Sequence, residues 1–121
     1  MTDTPNLDLI VRHYVAAALW SSTGDDGEPL DAWATIDDVA PATLEAMRDD
    51  CAAFIVSAAA LIEQCKLSPE QVGHDFWLTR NGHGVGFWDR GNGAAGDALT
   101  ALCKPFGSVD LYIGDDGLIY A

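Results

Sequence analysis

One stripe of apolar side chains constrains this chain more than any other feature. Between Pro41 and Lys66, Leu44, Met47, Cys51, Phe54, Ile55, Ala58, Leu61, Ile62 and Cys65 recur at helical spacing. A helix with so long an apolar face must be covered by the rest of a 121-residue chain. Its centre, "CAAFIVSAAALI" (residues 51–62), is twelve residues and alanine-rich, too short for a membrane span and suited to a core. Pro41 falls near the predicted start, where its fixed φ and missing N–H are tolerated. The helix is expected to end near Lys66.

Before it, Leu7, Ile10, Val11, Tyr14, Val15, Ala18 and Leu19 predict a first helix, capped by Asn6 or Thr4. "GDDGEPLDAW" reads as a loop, and "TIDDVA" as a short helix capped by Thr35. Ser68-Pro69-Glu70-Gln71 resembles a capping box that opens one more helical turn.

After Gly73 the apolar period changes from 3.6 to 2. Residues 74–80 and 85–89 read as strands joined at "NGHG". "GNGAAGD" is a loop, with Asp97 or Asn92 capping a helix through "ALTALCK" that Pro105 stops. "VDLYIGDDGLIYA" is a second hairpin turning at Asp-Asp-Gly. The expected fold is therefore α+β, one domain over 1–121. Residues 1–72 are helical and 73–121 form β-β-α-β-β. Two N-terminal helices pack on a small antiparallel sheet of two hairpins flanking a third helix (α-α-β-β-α-β-β).

The first hairpin concentrates chemically able side chains. With Asn81-Gly82 as the turn, Phe76, Leu78, Val85 and Phe87 share one face for the core. Trp77 covers Gly86 on the other face, together with Trp88. A longer Asn81–Gly84 loop would instead pair Trp77 with Trp88. In the preferred register His74 lies opposite Asp89, a candidate general base with an orienting carboxylate. The plainer role for that pair is to pin the hairpin end. Trp77 and Trp88 form a possible aromatic contact face, such as a dimer contact, and Arg80 and Arg90 could stack on the tryptophans.

Other chemistries lack their residues. The remaining histidine, His13, is remote in sequence and no HxH or HxxxH spacing occurs, so no metal is expected. Cys51, Cys65 and Cys103 have no CxxC spacing and read as reduced thiols. No GxSxG is present, and "RGNGAAGDAL" lacks a phosphate-loop lysine. The acidic loop lacks the ligand spacing of a calcium loop. No cofactor is expected. The N-terminus lacks the basic and apolar regions of a signal peptide, which points to a cytoplasmic protein.

Charge is the strongest global signal. Nineteen acids against six bases give −13. Residues 25–50 alone hold nine acids and one base. Such a chain is repelled by nucleic acid and by anionic membranes. Its acids suit a basic groove on another protein, and the candidate contacts are Asp25, Asp26, Glu28, Asp31, Asp37, Asp38, Asp49 and Asp50.

"GHDFWLTRNGHGVGFWDRG", followed by "GDALT" and "FGSVDLYIGDDGLIY", resembles a family of small proteins encoded by tailed bacteriophages and prophages. The resemblance covers residues 69–121, and the first 66 residues carry no family signal. Pro105 departs from the family pattern, in which that stretch is uninterrupted helix. The resemblance implies a phage or mobile-element protein at work in a bacterial host cytoplasm, and supplies no catalytic residues. Together with the charge, it leads to the expectation of a non-enzymatic interaction module, such as an inhibitor of a host nucleic-acid or defence enzyme by negative-surface mimicry. The alternatives are a small enzyme using His74 and Asp89, and an oligomeric phage accessory protein.

Overall fold

The structure, a computed structural model, describes residues 6–24, 27–82, 87 and 93–121. Four helices come first: α1 (Leu7–Ser21), α2 (Pro41–Gln64), α3 (Pro69–Arg80) and α4 (Ala94–Cys103). A two-stranded antiparallel sheet closes the order, with β1 (Tyr112–Ile113) and β2 (Ile119–Tyr120). The fold is mostly helical with a small sheet, α+β in the broad sense.

The N-terminal expectations match. Asn6 caps α1 by accepting from the Leu9 N–H at 3.2 Å. Pro41 occupies the first turn of α2, which buries Met47, Cys51, Phe54, Ile55, Ala58 and Ile62. Leu44, Leu61 and Cys65 of the expected face are half-buried against the core. Thr35 caps a 3₁₀ turn over Ile36–Asp38, with the Asp38 carboxylate returning to the Thr35 N–H at 2.8 Å.

Residues 74–80 are not a strand. They complete α3, which runs three turns beyond its Ser68 cap, where one turn was expected. Asn81-Gly82 ends this helix instead of turning a hairpin. Asn81 is near-helical, Gly82 takes φ +74°, and the Gly82 N–H donates to the Thr79 carbonyl at 3.1 Å. The period-2 reading failed because α3 is buried on nearly every side. Val72, Gly73, Asp75, Phe76, Trp77, Leu78 and Arg80 are all inside, so no polar face marks a helical period. Residues 83–86 and 88–92, most of the expected returning strand 85–89 among them, lie outside the described residues, and Phe87 is in a 3₁₀ turn where a strand was expected.

Gly73 is what lets α3 enter the core. An added Cβ would lie 2.2 Å from the Ile10 carbonyl oxygen and 2.8 Å from the Tyr14 nitrogen, both backbone atoms of α1. The two helices therefore meet backbone to side, in the most extensive helix pairing of the fold. Around them Phe54 stacks on Phe76 with centroids 4.3 Å apart, and Phe106 meets Phe76 edge-on at 5.0 Å. Phe87 joins Phe54 at 5.5 Å.

In α4, Asp97 is not the cap. The preceding residue is Gly93 at φ +58°, and the Asp97 N–H already donates to the Gly93 carbonyl inside the helix. The other candidate cap, Asn92, lies outside the described residues. As expected from Pro105, α4 gives way to a 3₁₀ turn over Lys104–Phe106. The final hairpin pairs Tyr112 with Tyr120 and Ile113 with Ile119 across a turn at Gly114–Gly117.

Candidate functional site

The acidic segment is held by a few buried anchors that leave its acids outside. Thr23 and Pro29 form an antiparallel bridge, and the Leu30 N–H donates to the Ser22 carbonyl at 2.9 Å. Leu30, Ala34 and Val39 are buried, and each fixes the chain between stretches of exposed residues. Glu28, Asp31 and Asp37 are exposed, and Asp38 is half-buried as part of the Thr35 cap. Trp33 stands among them, 49% exposed. Asp25 and Asp26 lie outside the described residues.

On α2, Asp49 is exposed and Asp50 is half-buried. Asp50 accepts from Arg80 at 2.8 Å, so its charge is engaged within the molecule. Arg48, the one base of residues 25–50, is bound to Asp8 of α1. Asp31, Asp37, Glu45 and Asp49 are exposed, and Trp33 is an exposed aromatic two residues along the chain from Asp31.

The structure adds a neighbour that the linear charge count does not show. Val39 bridges Ile119 of β2 in parallel, and the Ala40 N–H donates to the Ile119 carbonyl at 2.8 Å. The acidic segment is thereby joined to the C-terminal hairpin, which carries Asp110, Asp115 and Asp116 at exposed positions. No Lys or Arg occurs from residue 105 onward.

Arg80 belongs to the interior. Its Nε donates to the Gly107 carbonyl at 2.8 Å, and one terminal nitrogen donates both to Tyr14 Oη (2.9 Å) and to Asp50 Oδ2 (2.8 Å). The other donates to the Phe106 carbonyl, and the guanidinium lies 5.6 Å from the Phe76 and Phe106 ring centroids. It stacks on phenylalanines, not on the tryptophans the sequence suggested. Burial pushes the Tyr14 hydroxyl up, against the pull of Arg80. A cavity of about 300 Å³ opens beside this cluster, lined by Met47, Asp50, Arg80 and Val109 among others. Every Arg80 nitrogen is already bonded to protein, so the cluster holds elements together and offers little to a ligand.

The proposed dyad changes partner. His74 lies on α3, and no strand register sets it opposite Asp89, which falls outside the described residues together with Trp88 and Arg90. Its Nδ1 instead meets Oδ1 of Asp75, its fully buried sequence neighbour, at 3.0 Å. Trp77 is no contact face. It is 2% exposed, with its indole N–H donating to Ser21 Oγ at 2.7 Å. The exposed tryptophans among the described residues are Trp20 and Trp33, neither of which the sequence singled out. Trp33 had a signal, an aromatic between acids in a loop. Trp20 falls one residue past the apolar stripe of α1.

Cys51 and Cys103 are buried thiols whose burial pushes each up to about 12. Among the described residues no group of three or more His, Cys, Asp or Glu side chains could hold a metal ion. Among the described residues no helix is long and apolar enough to cross a membrane. The chain matches no family model, no curated protein and no solved structure.

Proposed function

We propose that this protein is a non-enzymatic interaction module whose acidic surface occupies a basic groove on another protein, one that ordinarily holds nucleic acid. The observation that carries the reading is that Asp31, Asp37, Asp49 and Trp33 are exposed on a chain of net charge −13. Carboxylates steer a basic partner and fix its register, while a half-exposed tryptophan is the side chain that most often anchors an interface. The resemblance to phage-encoded proteins favours a host nucleic-acid or defence enzyme as that partner.

Capture from bacterial lysate on the immobilised protein tests this. The bound protein should be released as salt rises from ~0.1 to ~0.5 M, where charges beyond a few ångströms are screened. Duplex DNA should displace it, and the triple variant Asp31→Lys, Asp37→Lys, Asp49→Lys should fail to capture it. Retention in molar salt, or by the triple variant, overturns the reading.

A second reading rests on the His74–Asp75 contact, in which a half-exposed imidazole is oriented by a buried carboxylate as in general-base sites. A ligand-dependent change in the His74 titration, followed by NMR, would favour it.

A further inference from the structure

We propose that the open edge of β1 is a second docking surface, which takes an extended, arginine-bearing segment of a partner protein as an added strand. The proposal draws only the sign of the partner's charge from the acidic-surface reading. The rest comes from the hairpin.

The backbone defines the edge. Ile119 turns its carbonyl away from β1 to accept from Ala40, so the Ile113–Ile119 pair exchanges no bonds across the hairpin. Gly114 turns inward, donating to the Leu118 carbonyl at 2.8 Å. Alternation then directs the Ile113 N–H and C=O outward. β2 has Val39 on its far side, whereas no other described residue pairs with β1. The side chains there are apolar and open, with Tyr112 57% and Ile113 43% exposed.

The surroundings select the occupant. The Tyr112 and Tyr120 rings stack 5.7 Å apart and border a hollow of about 540 Å³ that Asp115 and Asp116 also line. Tyr120 donates its hydroxyl to Asp116 at 2.6 Å, and with the Leu118 N–H it holds the Asp116 carboxyl below the usual carboxylate range. A tyrosine face beside two carboxylates, one of them held in place, suits a guanidinium, which stacks on the ring and forks to the oxygens. A second copy of this chain is disfavoured. Antiparallel β1–β1 pairing with Ile113 opposite Ile113 of the second copy would bring Asp110 opposite Asp116, and like charges at such positions repel. Strand addition supplies main-chain bonds, and alternate side chains supply the choice of partner.

The test uses the full ¹⁵N-labelled chain and a ten-residue peptide alternating Arg with Val, against the same peptide with Glu for Arg. The Arg peptide should shift the amide signals of residues 111–114 and slow hydrogen exchange at the Ile113 N–H. The Glu peptide should do neither. Ile113→Pro removes only an outward N–H and should weaken binding about fivefold, the equivalent of one hydrogen bond. Should that variant lose its hairpin signals, Asp115→Arg is the second probe and should weaken binding at least threefold. The Asp31→Lys, Asp37→Lys, Asp49→Lys protein should still bind the Arg peptide at β1, so a failure of the acidic-surface reading leaves this result intact. Shifts confined to residues 27–38, equal binding of the Glu peptide, absence of binding, or concentration-dependent protection of Ile113 without peptide each overturn the proposal.

Discussion

α3 and the C-terminal hairpin carry nearly the same local script and fold in opposite ways. Each has aromatic and aliphatic residues running into a turn signal whose glycine takes positive φ, +74° at Gly82 and +82° at Gly117. At Gly117 that glycine closes a hairpin turn, and at Gly82 it terminates a helix. The left-handed requirement is common to both, so the dipeptide alone does not distinguish them. What separates them lies upstream. Ser68-Pro69 starts a helix twelve residues long before Asn81, with the Ser68 hydroxyl accepting from the Gln71 N–H at 3.2 Å. No such cap precedes Tyr112.

The difference is sharpest at Gly73, which has no counterpart in the hairpin. Gly73→Ala should cost about 3 kcal/mol or more, because the new methyl meets α1 backbone that cannot step aside. Chemical denaturation would show it as a lower midpoint with an unchanged slope. A loss below about 1 kcal/mol would mean that α1 and α3 do not pack this closely. Arg80→Ala comes next, at about 3 kcal/mol. It strips donors from the Phe106 and Gly107 carbonyls and from Tyr14, while Asp50, being partly solvated, loses less.

Alkali should loosen the core. Cys51 and Cys103 ionise near 9.0 when unfolded and near 12 when buried. Their contribution is complete below pH 9 and is lost as the pH climbs toward 12, since only the unfolded chain releases those protons early. Midpoints measured from pH 8 to 11 should hold to about pH 9 and then fall, and the double variant Cys51→Ala, Cys103→Ala should lessen that fall, leaving the part due to the buried Tyr14 hydroxyl, which is also pushed up. The smallest effects test the glycines themselves. Gly82→Ala and Gly117→Ala should each cost about 1 kcal/mol, since neither Cβ meets any atom and only positive φ is penalised. Far-UV circular dichroism should register a shortened helix for Gly82→Ala alone. Equal loss of helix in both would erase the distinction between the two regions.

Where polar residues mark an edge or a face, the sequence is readable. Asn6, Thr35, Pro41 and Pro105 each mark an end through backbone chemistry local to a few residues, and the structure follows them. The α2 stripe is readable because its other face meets water. α3 is not, because burial on most sides removes the polar positions that reveal a period. Arg80 and Asp75 then look like surface residues in the sequence, although both are buried. The candidate acids divide the same way. Asp31 and Asp37 are exposed as their loop implies, whereas Asp50 has a partner, Arg80, thirty residues along the chain that no local pattern announces.

The bridge between Val39 and Ile119 has a consequence in time. The acidic segment is synthesised early, yet one of its flanking supports waits for a residue eighty positions later. Contacts of such separation form late, because the loop they close is long. On a translating ribosome residues 35–40 therefore emerge before the strand that receives them exists. The acids beside them acquire their final arrangement only once β2 has left the exit tunnel, which delays a fixed negative surface well past their own synthesis.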